Sequence, residues 1–174
     1  MLALGLLLPF LTGQIPEIGN MLLPMHLPVF ICGFLCGPMY GAIIGFSLPI
    51  MRSAIFSMPI MFPNAVAMAF ELCTYGLVSG LIYRLVKKQN LLTIYISLIA
   101  AMVLGRLVWG LADYLFLSLS ETGLTWEIFI SSTVLTAFPG IILQLIFIPI
   151  LLEVLNRTHL VTFVDKTEKK EAEA

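Results

Sequence analysis

Apolar residues run through this chain in long blocks, and proline, glycine and charged residues cut the blocks apart. The pattern predicts six helices, over about residues 1–12, 25–36, 39–57, 64–86, 91–118 and 127–155. The polar, turn-rich run Thr12-Gly13-Gln14-Ile15-Pro16-Glu17-Ile18-Gly19-Asn20 separates the first two. Gly37-Pro38 makes a tight turn between the second and third, and a break containing Pro59 and Pro63 ends the third. A polar loop from Ser118 to Thr125 precedes the last. The first block is too short to cross a bilayer alone, since a crossing takes about 20 residues. It is expected either to be short and tilted or to continue upstream of Met1. The second and third segments read as two short crossings, with a hairpin that dips in and returns as the alternative.

Composition turns this pattern into a membrane assignment. Of 174 residues, 60% are hydrophobic and 11% charged, and the mean hydropathy is +1.04. A soluble domain carries about 45–50% apolar and about 25% charged residues. The excess is spread along the whole chain, so no water-soluble packing hides it. A net charge of -1 argues against nucleic acid as a partner. Residues 1–164 are expected to form one transmembrane domain and 165–174 a charged, disordered tail. Cys32, Cys36 and Cys73 lie in apolar segments in odd number, which speaks for packing rather than disulfides or a metal site.

The basic residues give an orientation. Arg84, Lys87 and Lys88 close the fourth helix, and Arg157, Lys166, Lys169 and Lys170 follow the sixth. Two crossings separate these groups, so they share a face, and the positive-inside rule makes that face cytoplasmic. The loops at 13–24, 57–63 and 119–126 hold no Lys or Arg, only Glu17 and Glu121, and are assigned outside. The expected fold is therefore an all-α integral membrane bundle of six helices with both termini in the cytoplasm.

Four ionisable residues remain inside apolar segments: Arg52, Glu71, Arg106 and Asp113. Each costs at least about 2.5–3.5 kcal/mol in hydrocarbon and so normally faces the bundle interior or a wet cavity. Their positions along the helices put all four in the outer half or near the midplane, with Asn64 and His26 at the same end. Arg106, Trp109 or Gly110, and Asp113 form one stripe on the fifth helix, a cation, an aromatic plate and an anion suited to a small polar ligand. The competing reading pairs Arg52 with Glu71 and Arg106 with Asp113 as purely structural neutralisation. His26 reads as a structural cap or a ligand contact, Trp126 as an interfacial anchor, and Gln144 as an interhelical hydrogen bond.

Glycines at 33, 37, 41 and 45 recur every four residues, as do Gly76 and Gly80. Such stripes let backbones approach closely. The second pair reads as internal packing. The run of four serves either that purpose or as a flat surface for another membrane protein. There is no phosphate-binding loop, no H-E-x-x-H and no G-x-S-x-G. The expected class is accordingly non-enzymatic, with no cofactor and no metal.

The run from Leu22 to Arg84 resembles the substrate-binding S component of energy-coupling factor (ECF) vitamin transporters. The likeness is carried by Leu23-Pro24-Met25-His26-Leu27-Pro28-Val29, by Gly33 to Gly45 with its Gly-Pro-Met-Tyr-Gly centre, and by Arg52-Ser53. It continues through Met58-Pro59, Phe62-Pro63, Met68-Ala69-Phe70-Glu71 and Tyr75-Gly76. The resemblance implies a prokaryotic, multi-pass plasma-membrane protein of six helices that holds one vitamin or related micronutrient near its outer face. It implies a lid formed by residues 13–24, carrying Gln14, Glu17 and Asn20, and a toppling motion that releases cargo. The implied partners are a membrane T component, reached through an Ala-x-x-x-Ala pattern on the first helix, and two cytoplasmic ATPases. Ala3 is the second alanine of that pattern, and the first would precede Met1, which fits a start that lies further upstream.

On this basis Arg52 is expected to meet an anionic group of the ligand, Glu71 and Asn64 its hydrogen-bonding edge, and Trp109 to stack, with Arg106 and Asp113 orienting the set. The function expected is high-affinity capture of a small water-soluble vitamin. The alternative is a membrane scaffold or assembly subunit whose buried charges are structural.

Overall fold

The computed structural model describes residues 1–12, 24–86, 90–118 and 138–157. Six helices occur among them, and no strand. Helix α1 (Leu2–Leu7) continues as a tighter turn over Leu8–Thr12. Helix α2 spans His26–Leu35 and α3 Pro38–Phe56. A wide turn, Met61–Ala65, leads into α4, Val66–Leu85. Helix α5 spans Leu91–Ser118 and α6 Phe138–Arg157.

The helix ends follow from local chemistry. Gly37 holds φ at +105°, a left-handed turn that a side chain would strain, and Pro38 opens α3 at the position where a missing N–H costs nothing. The Arg84 guanidinium donates to the Cys36 carbonyl at 2.9 Å, capping the C-terminus of α2 with a cation. Asn90 accepts from the Thr93 N–H at 3.1 Å and so caps α5.

Among the described residues, four spans are long and apolar enough to cross a membrane: Pro38–Phe56, Met61–Leu85, Leu91–Phe116 and Pro139–Arg157. Helix α5 exposes Leu92, Ile96, Ile99, Val103, Leu107, Leu111 and Tyr114. Steps of three and four place these on one face, which only lipid or another protein could cover favourably. Its opposite face joins Ile94, Leu98 and Ala101 to a core of Phe30, Leu48, Leu72, Tyr75, Ile148 and Leu152.

Helix α2 is shorter than a lone crossing requires. Its ten residues rise about 15 Å, half of a hydrocarbon core about 30 Å thick. Nine of the ten are buried, so α2 is a short inner helix that neighbours surround.

The glycines explain how tightly α2, α3 and α4 meet. A Cβ on Gly41 would strike Gly33 and the Gly76 carbonyl, and one on Gly45 would strike the Leu72 carbonyl. Gly80 lies against the Gly33 carbonyl and Pro38, and Gly37 lies under the Arg84 guanidinium. Of the two readings of Gly33, Gly37, Gly41 and Gly45, these contacts favour internal packing: the stripe faces the chain's own helices. Ala3, by contrast, is exposed on α1.

Candidate functional site

The glycine contacts also fix levels along the bundle. Gly41 lies against Gly76 and Gly45 against Leu72, so each turn forward along α3 matches a turn back along α4. By that register Arg52 comes level with Ala65, about 9 Å from the level of Glu71. Arg52 and Glu71 therefore do not pair. The Arg52 Nη1 donates instead to the Leu6 carbonyl at 3.1 Å, and its guanidinium lies 5.9 Å from the Phe10 ring and 5.5 Å from the Phe56 ring. Its position ties the turn after α1 to α3. It is a cation set against an edge-to-face aromatic pair, ring centroids 5.0 Å apart, with no carboxylate within ion-pair range among the described residues.

The second expected pair is also replaced. Gly105 abuts the Tyr75 ring and Phe116 meets Phe62, which together set α5 antiparallel to α4, and the Arg106 Nη1 meets Glu71 Oε1 at 3.2 Å. Asp113, seven residues on, lies about 10 Å further toward the Phe62 end of α4, where Phe116 meets Phe62 with ring centroids 5.1 Å apart. Two turns of helix separate Asp113 from Arg106, too far for the pairing read from their common stripe. Asp113 is 8% exposed, and no hydrogen bond or ion pair reaches it among the described residues. Trp109, half-buried, stands between the two levels.

Glu71 is the centre of the deeper level. It is 1% exposed and collects three neighbours. Arg106 supplies the ion pair. The Tyr75 hydroxyl donates to Oε1 at 2.7 Å, and His26 Nε2 lies 4.0 Å from Oε2. His26 occupies the first turn of α2, also 1% exposed, with its ring 5.4 Å from that of Tyr75. Phe30, one turn along α2, stacks on Tyr75 at 4.9 Å and 19°. Helices α2, α4 and α5 thus each contribute a polar side chain to one point.

Tyr75 was not among the residues singled out from the pattern. The signal was present, because Glu71 and Tyr75 are four apart on one helix and a hydroxyl at that spacing reaches the carboxylate. Arg106 is only partly satisfied: Nε and Nη2 are buried and have no hydrogen-bond partner among the described residues. The Nε2 of Gln144, a residue 1% exposed on α6, likewise has none. Asn64 is exposed in the wide turn before α4. The lid residues Gln14, Glu17 and Asn20 lie outside the described residues.

A buried carboxylate and guanidinium with donors to spare can hold a polar molecule in orientation. Among the described residues no group of three or more His, Cys, Asp or Glu stands close enough to hold a metal ion. A family model described as "ECF transporter, substrate-specific component" matches residues 1–152. The chain belongs to that family. No curated protein and no solved structure matches it. As an ECF S component it is a membrane protein of the transport class that binds substrate, and its family is not a catalytic one. The family implies a transport complex with a T component and ATPases.

Proposed function

We propose that this S component captures one small water-soluble vitamin or related micronutrient from outside the cell and hands it inward through a T component driven by two cytoplasmic ATPases. Its six helices lie in the plasma membrane, with both termini in the cytoplasm. The observation that carries the reading is the Glu71–Arg106–Tyr75–His26 cluster, held by three helices in a mostly apolar bundle with guanidinium donors left over. A cluster built only to neutralise charge gains nothing from those extra donors. Arg52, Asn64 and Asp113 belong to the outer approach to this centre, with Trp109 between the levels and the segment carrying Gln14, Glu17 and Asn20 as its cover.

Native mass spectrometry of the purified chain, followed by a thermal-shift screen of water-soluble vitamins, tests this. One compound is expected to copurify or to raise the melting temperature by several degrees. A screen in which none does so removes the capture role. The scaffold reading keeps one favourable observation, the direct ion pair between Glu71 and Arg106. It predicts that replacing both residues by neutral isosteres leaves every function of the complex unchanged.

A further inference from the structure

Arg106 uses one nitrogen, Nη1, on Glu71. The two it does not use, Nε and Nη2, are both buried. They are not an arbitrary pair: they lie along one side of the planar guanidinium and project two parallel N–H bonds, the edge with which arginine binds two acceptors at once. A buried donor without an acceptor is destabilising, and here two adjacent ones point the same way.

The charge around this edge restricts what fills it. The Arg106 charge is already matched by Glu71, which is sealed beside it. A carboxylate on the free edge would place a second anion next to Glu71 in an apolar bundle, and like charges so placed disfavour each other. A neutral pair of acceptors satisfies the same two donors without this penalty. The side-by-side carbonyl oxygen and ring nitrogen of a fused oxo-heteroaromatic provide that pair, as O6 and N7 of guanine do for arginine elsewhere. Trp109 follows Arg106 by one turn of α5 and is half-buried.

We infer that the free edge of Arg106 reads a neutral acceptor pair, a carbonyl oxygen beside a ring nitrogen, on a flat fused heterocycle, and that the site discriminates against ligands offering a carboxylate there. This rests on the capture role proposed above. The test uses the full chain in lipid nanodiscs and isothermal calorimetry. The probes are hypoxanthine and pterin, which carry the acceptor pair, 7-deazahypoxanthine, which lacks the ring nitrogen, and the carboxylates nicotinate and pantothenate. Hypoxanthine or pterin is expected to bind, with 7-deazahypoxanthine at least tenfold weaker than hypoxanthine. In Arg106→Lys, which keeps a cation beside Glu71 but loses the fork, that tenfold difference should vanish. Should the lysine variant not fold, the hypoxanthine and deaza comparison on the unmodified chain decides alone. Binding confined to the carboxylates, or indifferent to the ring nitrogen as it would be if water met both donors, overturns the inference and leaves the capture role standing. A chain that binds and copurifies no small molecule removes both.

Discussion

A carboxylate sealed as completely as Glu71 has to find its donors inside the protein, and the side chains around it show which ones matter. Arg106→Gln strips the charge partner and leaves a buried anion, so unfolding stability in detergent should fall by about 3–5 kcal/mol. Combining it with Glu71→Gln should recover more than half of that loss, because the uncompensated charge is gone. Strictly additive losses in that cycle would mean the two residues do not act as a pair. Tyr75→Phe removes only the 2.7 Å hydrogen bond and should cost about 1–2 kcal/mol, read by thermal unfolding, together with weaker ligand binding. That Glu71 and Arg106 matter was legible in the sequence, because charge in an apolar run is conspicuous whatever the fold. Their pairing was not. Arg106 and Asp113 share a stripe on one helix, but contact needs three or four residues and they are seven apart. The separation of Arg52 from Glu71 depends on how far α3 slides along α4, which no single-helix pattern contains.

Between elements, the small residues set that slide. Backbone carbonyls of Leu72 and Gly76 occupy the space a methyl group at Gly45 or Gly41 would need. Gly45→Ala and Gly76→Ala should each destabilise by about 1–3 kcal/mol, as overpacking does. Ala3→Val, on the exposed side of α1, should stay within about 0.5 kcal/mol by the same thermal assay. If the glycine variants melt like the parent chain, the helices are not in backbone contact. The glycine spacing revealed that some close approach exists. It could not reveal which surface is approached, since an internal seam and an interface with another protein look alike in one dimension. The helix boundaries were far better marked, because Gly37-Pro38, the break at Pro59 and the Asn90 cap each stop or start a helix through purely local chemistry.

At the scale of the whole molecule, orientation rests on where lysine and arginine fall, and chemical labelling checks it. In a variant whose three cysteines are replaced by serine, Thr122→Cys should react with a membrane-impermeant maleimide on intact cells. Lys88→Cys should react only after permeabilisation. The reverse pattern would invert the topology and put the Glu71 centre on the wrong side for uptake. The seam through α2, α3 and α4 also bears on how such a bundle can move. Side chains slide past one another by changing rotamers, but helices touching at Gly33, Gly41 and Gly76 have no rotamers to change. These three therefore travel as a single stiff keel in any motion of the bundle.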